Sequence, residues 1–316
     1  MMAGMIPQTQ TSSSGEGHRF YLEALVRQEE DIAYRRQDYL AHEWQMSLWK
    51  DEVKESMQIQ ALRQSPSSVL SPTLAHMENA DAPVPIPDAP SEICVRWREK
   101  IIEWKYQVVD RFDLDREIVS ISTFYLDRYL ATHYVDEELF QLVSMSSIYL
   151  AIKINSPKKV TIQSIASTGN GLITAQHIEA MELSIMKCLN WHLFPPTSVS
   201  FIENFFPLIL MSSRNCKFSL YLQRKIEEAL EFSRFLIELS VCAYPFVSAK
   251  PSSVAIAAIL YSLESYGIVK ETRGAFESLV KEAKLDANGP EVHACSRLLR
   301  RVHRLAITND ASSISG

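Results

Sequence analysis

Three charged side chains stand in or beside apolar stretches of this sequence, Asp127, Lys153 and Glu182, and a fourth, Arg98, opens a helical run rich in charge. Asp127 stands among Phe124, Tyr125, Leu126, Tyr129 and Leu130. A carboxylate on such a surface is costly to bury unless it is paired. A guanidinium meets that need with two parallel hydrogen bonds, so Arg98 is a suitable partner; the alternative is that both point to solvent. Lys153 follows an apolar run, and Glu182 lies between Met181 and Leu183. Read alone, each is an ordinary solvated charge, or the two form a surface ion pair contributing about 0–1 kcal/mol. This is the chemistry of holding and binding, not of making bonds.

Catalytic motifs do not appear. There is no phosphate-cradling glycine loop, no G-x-S-x-G, no H-E-x-x-H and no spaced Cys/His set. The eight histidines are scattered, and His293 and His303 are too far apart to share a helical turn. No catalytic residue, metal site or cofactor is expected, and the chain is read as a non-enzyme. The 316 residues can hold one or two domains with a full core. A net charge of −6 argues against nonspecific nucleic-acid or anionic-membrane binding. The five cysteines include no C-x-x-C, and no secretory segment opens the chain, which reads as reduced thiols in nucleus and cytoplasm. No apolar run approaches the roughly 18–20 residues that span a bilayer, so no membrane partner is expected.

Glycine is scarce, at nine residues, and no β-type alternation dominates, so an all-α fold is expected. Residues 1–17 are small and polar and read as disordered. Residues 18–64 read as one or two amphipathic helices. Residues 65–91, with Ser65-Pro66, Ser71-Pro72 and the proline run from Ala82 to Pro90, read as a linker. Five helices then fit residues 92–194: Glu92 to Phe112, Arg116 to Thr132 with Asp115 as N-cap, Asp136 to Ile154, a short one after Thr161 ending at Gly169-Asn170-Gly171, and one from Thr174 to Asn190. The third is apolar on nearly every face and should be buried all round. Residues 195–307 fit a second bundle of similar scale. Its helices are placed near Ser200 to Met211, Leu220 to Leu239, from Pro251, Gly274 to Lys284, and Pro290 to Ala306; residues 308–316 are read as a flexible tail.

The segment from Arg98 to Leu193 resembles the first cyclin box. It carries R-E-K-I-I-E-W-K (Arg98 to Lys105), Y-L-D-R-Y-L (Tyr125 to Leu130), A-I-K (Ala151 to Lys153) and M-E-L-S-I-M-K-C-L-N-W-H-L (Met181 to Leu193). The resemblance implies two consecutive five-helix cyclin-box bundles and an internal Arg98–Asp127 pair. It implies Lys153 and Glu182 as contacts for a cyclin-dependent kinase, with Ile154, Leu183, Met186 and Trp191 as apolar anchors. The implied mechanism is allosteric: a cyclin presses on a mobile kinase helix and favours the arrangement that aligns the ATP-binding Lys–Glu pair.

The family's substrate-docking patch maps to Trp97, Lys100, Ile101, Trp104, Gln107, Glu137 and Phe140. Lys100 replaces an apolar residue and Gln107 an acidic one, so weak or altered docking of a basic-apolar motif is expected. Kinase substrates or inhibitors are the further partners such a patch implies. Ser65 and Ser71 precede prolines and are candidate sites for proline-directed kinases. Arg19-Phe20-Tyr21-Leu22 fits a minimal degradation signal, and Arg297 to Arg304 reads as an import patch or an amphipathic last helix. A D-type or G1-like assignment rests only on the weakness of the mitotic signals. The competing function is a cyclin-box scaffold or transcription-associated factor that binds peptide or DNA without activating a kinase.

Overall fold

The structure, a computed structural model, describes residues 15–37, 39, 95–169, 171–214 and 220–314. Among the described residues there is no strand, and the chain is all-helical. Helix α1 (Gly15–Glu30) comes first, followed by a 3-10 turn at Ile32–Tyr34. The first repeat contains α2 (Val95–Arg111), α3 (Glu117–Leu130), α4 (Glu137–Asn155), α5 (Ile162–Ala166) and α6 (Ala175–Cys188). The second contains α7 (Ser198–Arg214), α8 (Leu220–Cys242), α9 (Pro251–Ser265), α10 (Val269–Glu282) and α11 (Pro290–Ile314). Each repeat has its own apolar core.

Local chemistry sets most boundaries. Asp136 caps α4 by accepting the Leu139 N–H at 2.8 Å, Thr161 caps α5, and Thr174 forms a reciprocal capping box with His177 on α6. Pro251 and Pro290 stand at the first helical position of α9 and α11, where a missing N–H costs nothing. The apolar-all-round reading of α4 corresponds to burial of Val143 to Ile148 in unbroken sequence, which places this helix at the centre of its repeat. Helix α9 is its counterpart, buried from Ser252 to Ile259. Its alanines at 255, 257 and 258 let neighbouring helices approach closely.

Several expectations need correcting. The N-cap of α3 is Arg116, not Asp115. The Asp115 side chain instead accepts the Glu117 N–H at 2.8 Å, and its carbonyl takes the Ile118 N–H at 3.2 Å in a tight first turn. Gly15 to Gly17 belong to α1 rather than to a disordered end; at Gly15, a side chain would meet Leu208 and Met211 at 3.3 Å, so glycine permits close packing on α7. Helix α10 starts at Val269, running through Gly274, where an exposed position tolerates the roughly 1 kcal/mol that glycine costs in a helix. The expected tail is helical as far as Ile314, because neither glycine nor proline interrupts the chain before Gly316. The proline-rich segment 65–91, with Ser65 and Ser71, and residues 40–64 lie outside the described residues.

Helix α1 packs on the second repeat, not the first, adding Leu22 and Leu25 to its core. At its end Glu29 is buried, and its carboxylate accepts the Ser252 N–H at 2.7 Å and the Ser252 hydroxyl at 2.5 Å. Glu291 of α11 accepts the Lys250 N–H at 2.7 Å. Helix α9 has no side-chain cap of its own, so carboxylates from two other helices satisfy its free N–H groups.

Candidate functional site

Arg98 on α2 is 1% exposed and grips Asp127 on α3 with both ends of its fork, Nε to Oδ1 at 3.0 Å and Nη2 to Oδ2 at 2.9 Å. Its Nη1 reaches the second repeat, donating to the carbonyls of Val241 at 3.0 Å and Cys242 at 3.3 Å. The Tyr39 hydroxyl donates to Asp127 Oδ1 at 2.6 Å, and Arg36 lies 3.7 Å from Oδ2. Burial opposes the charged form of Asp127, but Arg98, Arg36 and the Tyr39 hydroxyl outweigh it and hold the carboxyl below its ordinary range. The cluster therefore ties α2, α3, the end of α8 and the segment after α1 to one point.

Lys105 lies one heptad beyond Arg98 on the same face of α2 and is fully buried. Its ammonium donates to the Ser122 carbonyl at 3.2 Å and the Ser147 hydroxyl at 3.0 Å, with no carboxylate in contact. Burial pushes its pKa down to about 7. Sequence reading missed this lysine. The available signal was its register, since 98, 102, 105 and 109 form the stripe that also buries Ile102 and Val109.

At the other end of the first repeat, Lys153 closes α4 and Glu182 sits on α6. Lys153 Nζ donates to Glu182 Oε1 at 2.6 Å. The pair is asymmetric: the lysine side chain is 54% exposed and the glutamate 7%. The hydrogen bond to Glu182 raises the Lys153 pKa above its ordinary value. Leu183, next to Glu182 in sequence, and Trp191, just past the end of α6, are exposed, whereas Ile154 and Met186 are half-buried against the first core. Phe194, which sequence reading did not single out, is also exposed, at 54%.

Trp191 is presented by an unusual turn. Asn190 and Trp191 both have left-handed backbones, with φ of 47° and 63°. The Asn190 N–H bonds to the Lys187 carbonyl at 3.0 Å and the Trp191 N–H to the Met186 carbonyl at 3.1 Å, closing the end of α6. Such backbones cost on the order of 1–3 kcal/mol each and persist only where the surroundings enforce them. The result is a tryptophan indole that is 62% exposed at the foot of α6.

The expected docking patch forms a continuous strip on α2. Trp97, Ile101 and Trp104 are half-buried, and Lys100 and Gln107 are exposed. Phe140 is buried, with its ring 6.2 Å from Trp97, so it is a floor to the strip and not an open contact. Glu137 is exposed at the start of α4. In the minimal degradation motif, Leu22 belongs to the second core and Arg19 pairs with Glu282 at 3.2 Å, so the folded chain does not present it. The Arg297 to Arg304 segment is an amphipathic stretch of α11, with Leu299 buried and Arg300 stacked 4.3 Å over the Tyr261 ring. Among the described residues, Cys188, Cys242 and Cys295 are free thiols, no group of side chains could hold a metal ion, and no helix is long and apolar enough to cross a membrane.

Two five-helix repeats, each built about a buried central helix, with an Arg–Asp clamp joining the first two helices, define a tandem cyclin-box protein. The chain matches the Cyclin, N-terminal domain family over residues 72–194 and the Cyclin, C-terminal domain family over residues 196–314, and it belongs to the cyclin family. Cyclin-B1-1 of Oryza sativa subsp. japonica is 28% identical over 183 residues, 58% of this chain and 38% of that protein. The G1/S-specific cyclin-E1 of Gallus gallus is 33% identical over 109 residues, 34% of this chain and 27% of that protein. The chain thus spans well under half the length of these curated relatives. A G2/mitotic-specific cyclin-2 of Antirrhinum majus, 28% identical over 183 residues, 58% of this chain and 38% of that protein, also matches, so the relatives do not single out a D type. A viral cyclin from herpesvirus saimiri shares the fold, with a TM-score of 0.52, 16% identity and coverage of 67% of this chain and 86% of that one.

Proposed function

We propose that this cyclin binds a cyclin-dependent protein kinase and activates it allosterically to control cell-cycle progression, acting in the nucleus and cytoplasm. The observation that carries the reading is the Lys153–Glu182 pair. A buried carboxylate holds an exposed ammonium at 2.6 Å, next in sequence to exposed Leu183, and the same helix α6 ends in the turn that exposes Trp191. An ion pair serving only the fold has no need of exposed apolar neighbours. An interface needs both, because desolvated polar contacts give orientation and apolar anchors give affinity. The chain supplies no catalytic group. The free energy for activation comes from binding the active kinase conformer better than the inactive one.

The test is recovery of cyclin-dependent kinases on the immobilised chain, followed by a kinase assay on the bound fraction. Wild type should recover active kinase. The Lys153→Ala/Glu182→Ala variant should lose it while keeping a native melting profile. The Trp191→Ala variant changes only an exposed side chain and should weaken recovery as well. A folded wild type that recovers no kinase would move the function to a cyclin-box scaffold or transcription-associated factor.

A further inference from the structure

A cavity of about 40 Å³ lies where the segment after α1 meets both repeats. Tyr34 and Arg36 line it from that segment, Arg98 and Ser120 from the first repeat, and Ser198 and Ser240 from the second. By the space a buried water needs, it has room for about three waters. It is partly open to solvent, so a small solute can enter.

Arg36 is held there without an adequate partner. Its side chain is 19% exposed, and its one ionic neighbour is Asp127, whose Oδ2 lies 3.7 Å from Nη1, beyond hydrogen-bond reach. That oxygen already accepts Arg98 Nη2 at 2.9 Å, and Oδ1 accepts Arg98 Nε and the Tyr39 hydroxyl. A guanidinium carries five N–H donors, and among the described residues those of Arg36 find no acceptor. Burial outweighs the attraction of Asp127 and lowers the Arg36 pKa from its ordinary value. A buried charge is ordinarily both paired and hydrogen-bonded.

The rest of the wall also offers donors. The hydroxyls of Ser120 and Ser198 are half-buried and bond to no described residue, whereas that of Ser240 donates to the Ile237 carbonyl at 2.7 Å. Ser198 opens α7, a 17-residue helix whose first N–H groups lack partners within the helix and form its positive end. Two guanidiniums thus share one carboxylate. The other carboxylates nearby are committed elsewhere, Glu29 to Ser252 and Glu117 to Thr197 and Ser200. The missing component is an acceptor that carries negative charge, because hydrogen bonds between ionised groups are the strong ones.

We propose that this cavity binds one small free oxyanion of the phosphate type, held by Arg36 with the hydroxyls of Ser120 and Ser198 at the start of α7. The volume fits a free ion and not a phosphorylated side chain with its backbone. Bound there, the ion would tie the segment after α1 to both repeats. The inference goes beyond kinase binding and does not depend on it, since binding is measured on the cyclin chain alone.

The test follows the melting temperature of the full chain as sodium phosphate replaces sodium chloride at constant ionic strength. Wild type should melt higher as phosphate rises, along the logarithmic curve of a ligand bound by the folded state. Arg36→Gln should lose that gain, and Ser198→Ala should need about tenfold more phosphate to reach it. O-phosphoserine should give no gain. Hydrogen exchange on wild type, which needs no variant to fold, should slow with phosphate at residues 32–36 and at the start of α7. An equal gain in wild type and Arg36→Gln would be the general salting effect of phosphate and would overturn the proposal. So would the absence of any gain in wild type, or protection confined to other parts of the chain. A gain with O-phosphoserine matching that with phosphate would make a phosphorylated side chain the ligand and overturn the free ion.

Discussion

Arg98 and Asp127 are joined by two parallel hydrogen bonds while Arg98 also holds two carbonyls of the second repeat. The pair is therefore a link between repeats as well as between α2 and α3. Removing one member leaves the other charged and buried, which costs on the order of 3–5 kcal/mol. Arg98→Ala and Asp127→Asn should each lower the unfolding free energy, read from urea titration, by that order. The double variant should cost less than the two together, because the Arg98–Asp127 pairing is lost only once and Arg36 alone is left without its carboxylate. Additive costs would mean that the two side chains do not act as one unit.

Acid should reach the same cluster. Asp127 titrates below its ordinary value in the fold, so its contribution is present above the unfolded carboxyl's range, about pH 4, and is lost as pH falls through the folded value. Wild type should therefore lose stability more steeply below about pH 4 than Asp127→Asn, as measured by denaturant titration across pH. Parallel curves would sink this assignment.

Lys105 shifts in the same direction, but here it is the charged form that burial penalises. Its folded pKa of about 7 lies below the ordinary 10.5, so between these values the unfolded chain holds a proton that the folded one does not. Stability should rise with pH across that window, with the full cost of burial present below its lower edge. Lys105→Met keeps the length of the side chain and removes the charge. It should stabilise the chain at neutral pH by about 1–4 kcal/mol and flatten the rise. A destabilised Lys105→Met would show instead that the bonds to Ser122 and Ser147 outweigh the buried charge.

The frame of the fold was legible wherever capping and proline chemistry are local. Asp136, Thr161, Thr174, Pro251 and Pro290 mark their helices without help from the tertiary structure. The Arg98–Asp127 pair was legible because a carboxylate amid aromatic residues needs a partner. Lys105 was missed because a lysine normally reads as solvated, and only its register with Arg98 shows otherwise. Tyr39 and Glu29 were not readable at all. Tyr39 reaches Asp127 across 88 residues of sequence and Glu29 reaches Ser252 across 223, and no local pattern encodes such a pairing. Phe194 was hidden by Pro195 and Pro196, which drew the reading toward a connector rather than a surface.

Glu29 gives a sharper test of the contact between α1 and the second repeat. Glu29→Ala leaves two buried donors of Ser252 without an acceptor, which costs about 1–3 kcal/mol. Glu29→Gln keeps an acceptor oxygen and should cost less. Chemical denaturation of the two variants separates these outcomes. Equal stability of wild type and Glu29→Ala would mean that water replaces the carboxylate at no cost.

The placement of α1 also has a practical corollary for anyone cutting this chain. The matched cyclin domains begin at residue 72, yet Leu22 and Leu25 complete the second repeat's core, Glu29 terminates its central helix, and Tyr39 reaches the ion pair of the first. A fragment trimmed to the family boundaries would expose an apolar groove on α7 and leave Asp127 short of a donor. The smallest autonomous unit is set by those four contacts, and it begins well upstream of the homology.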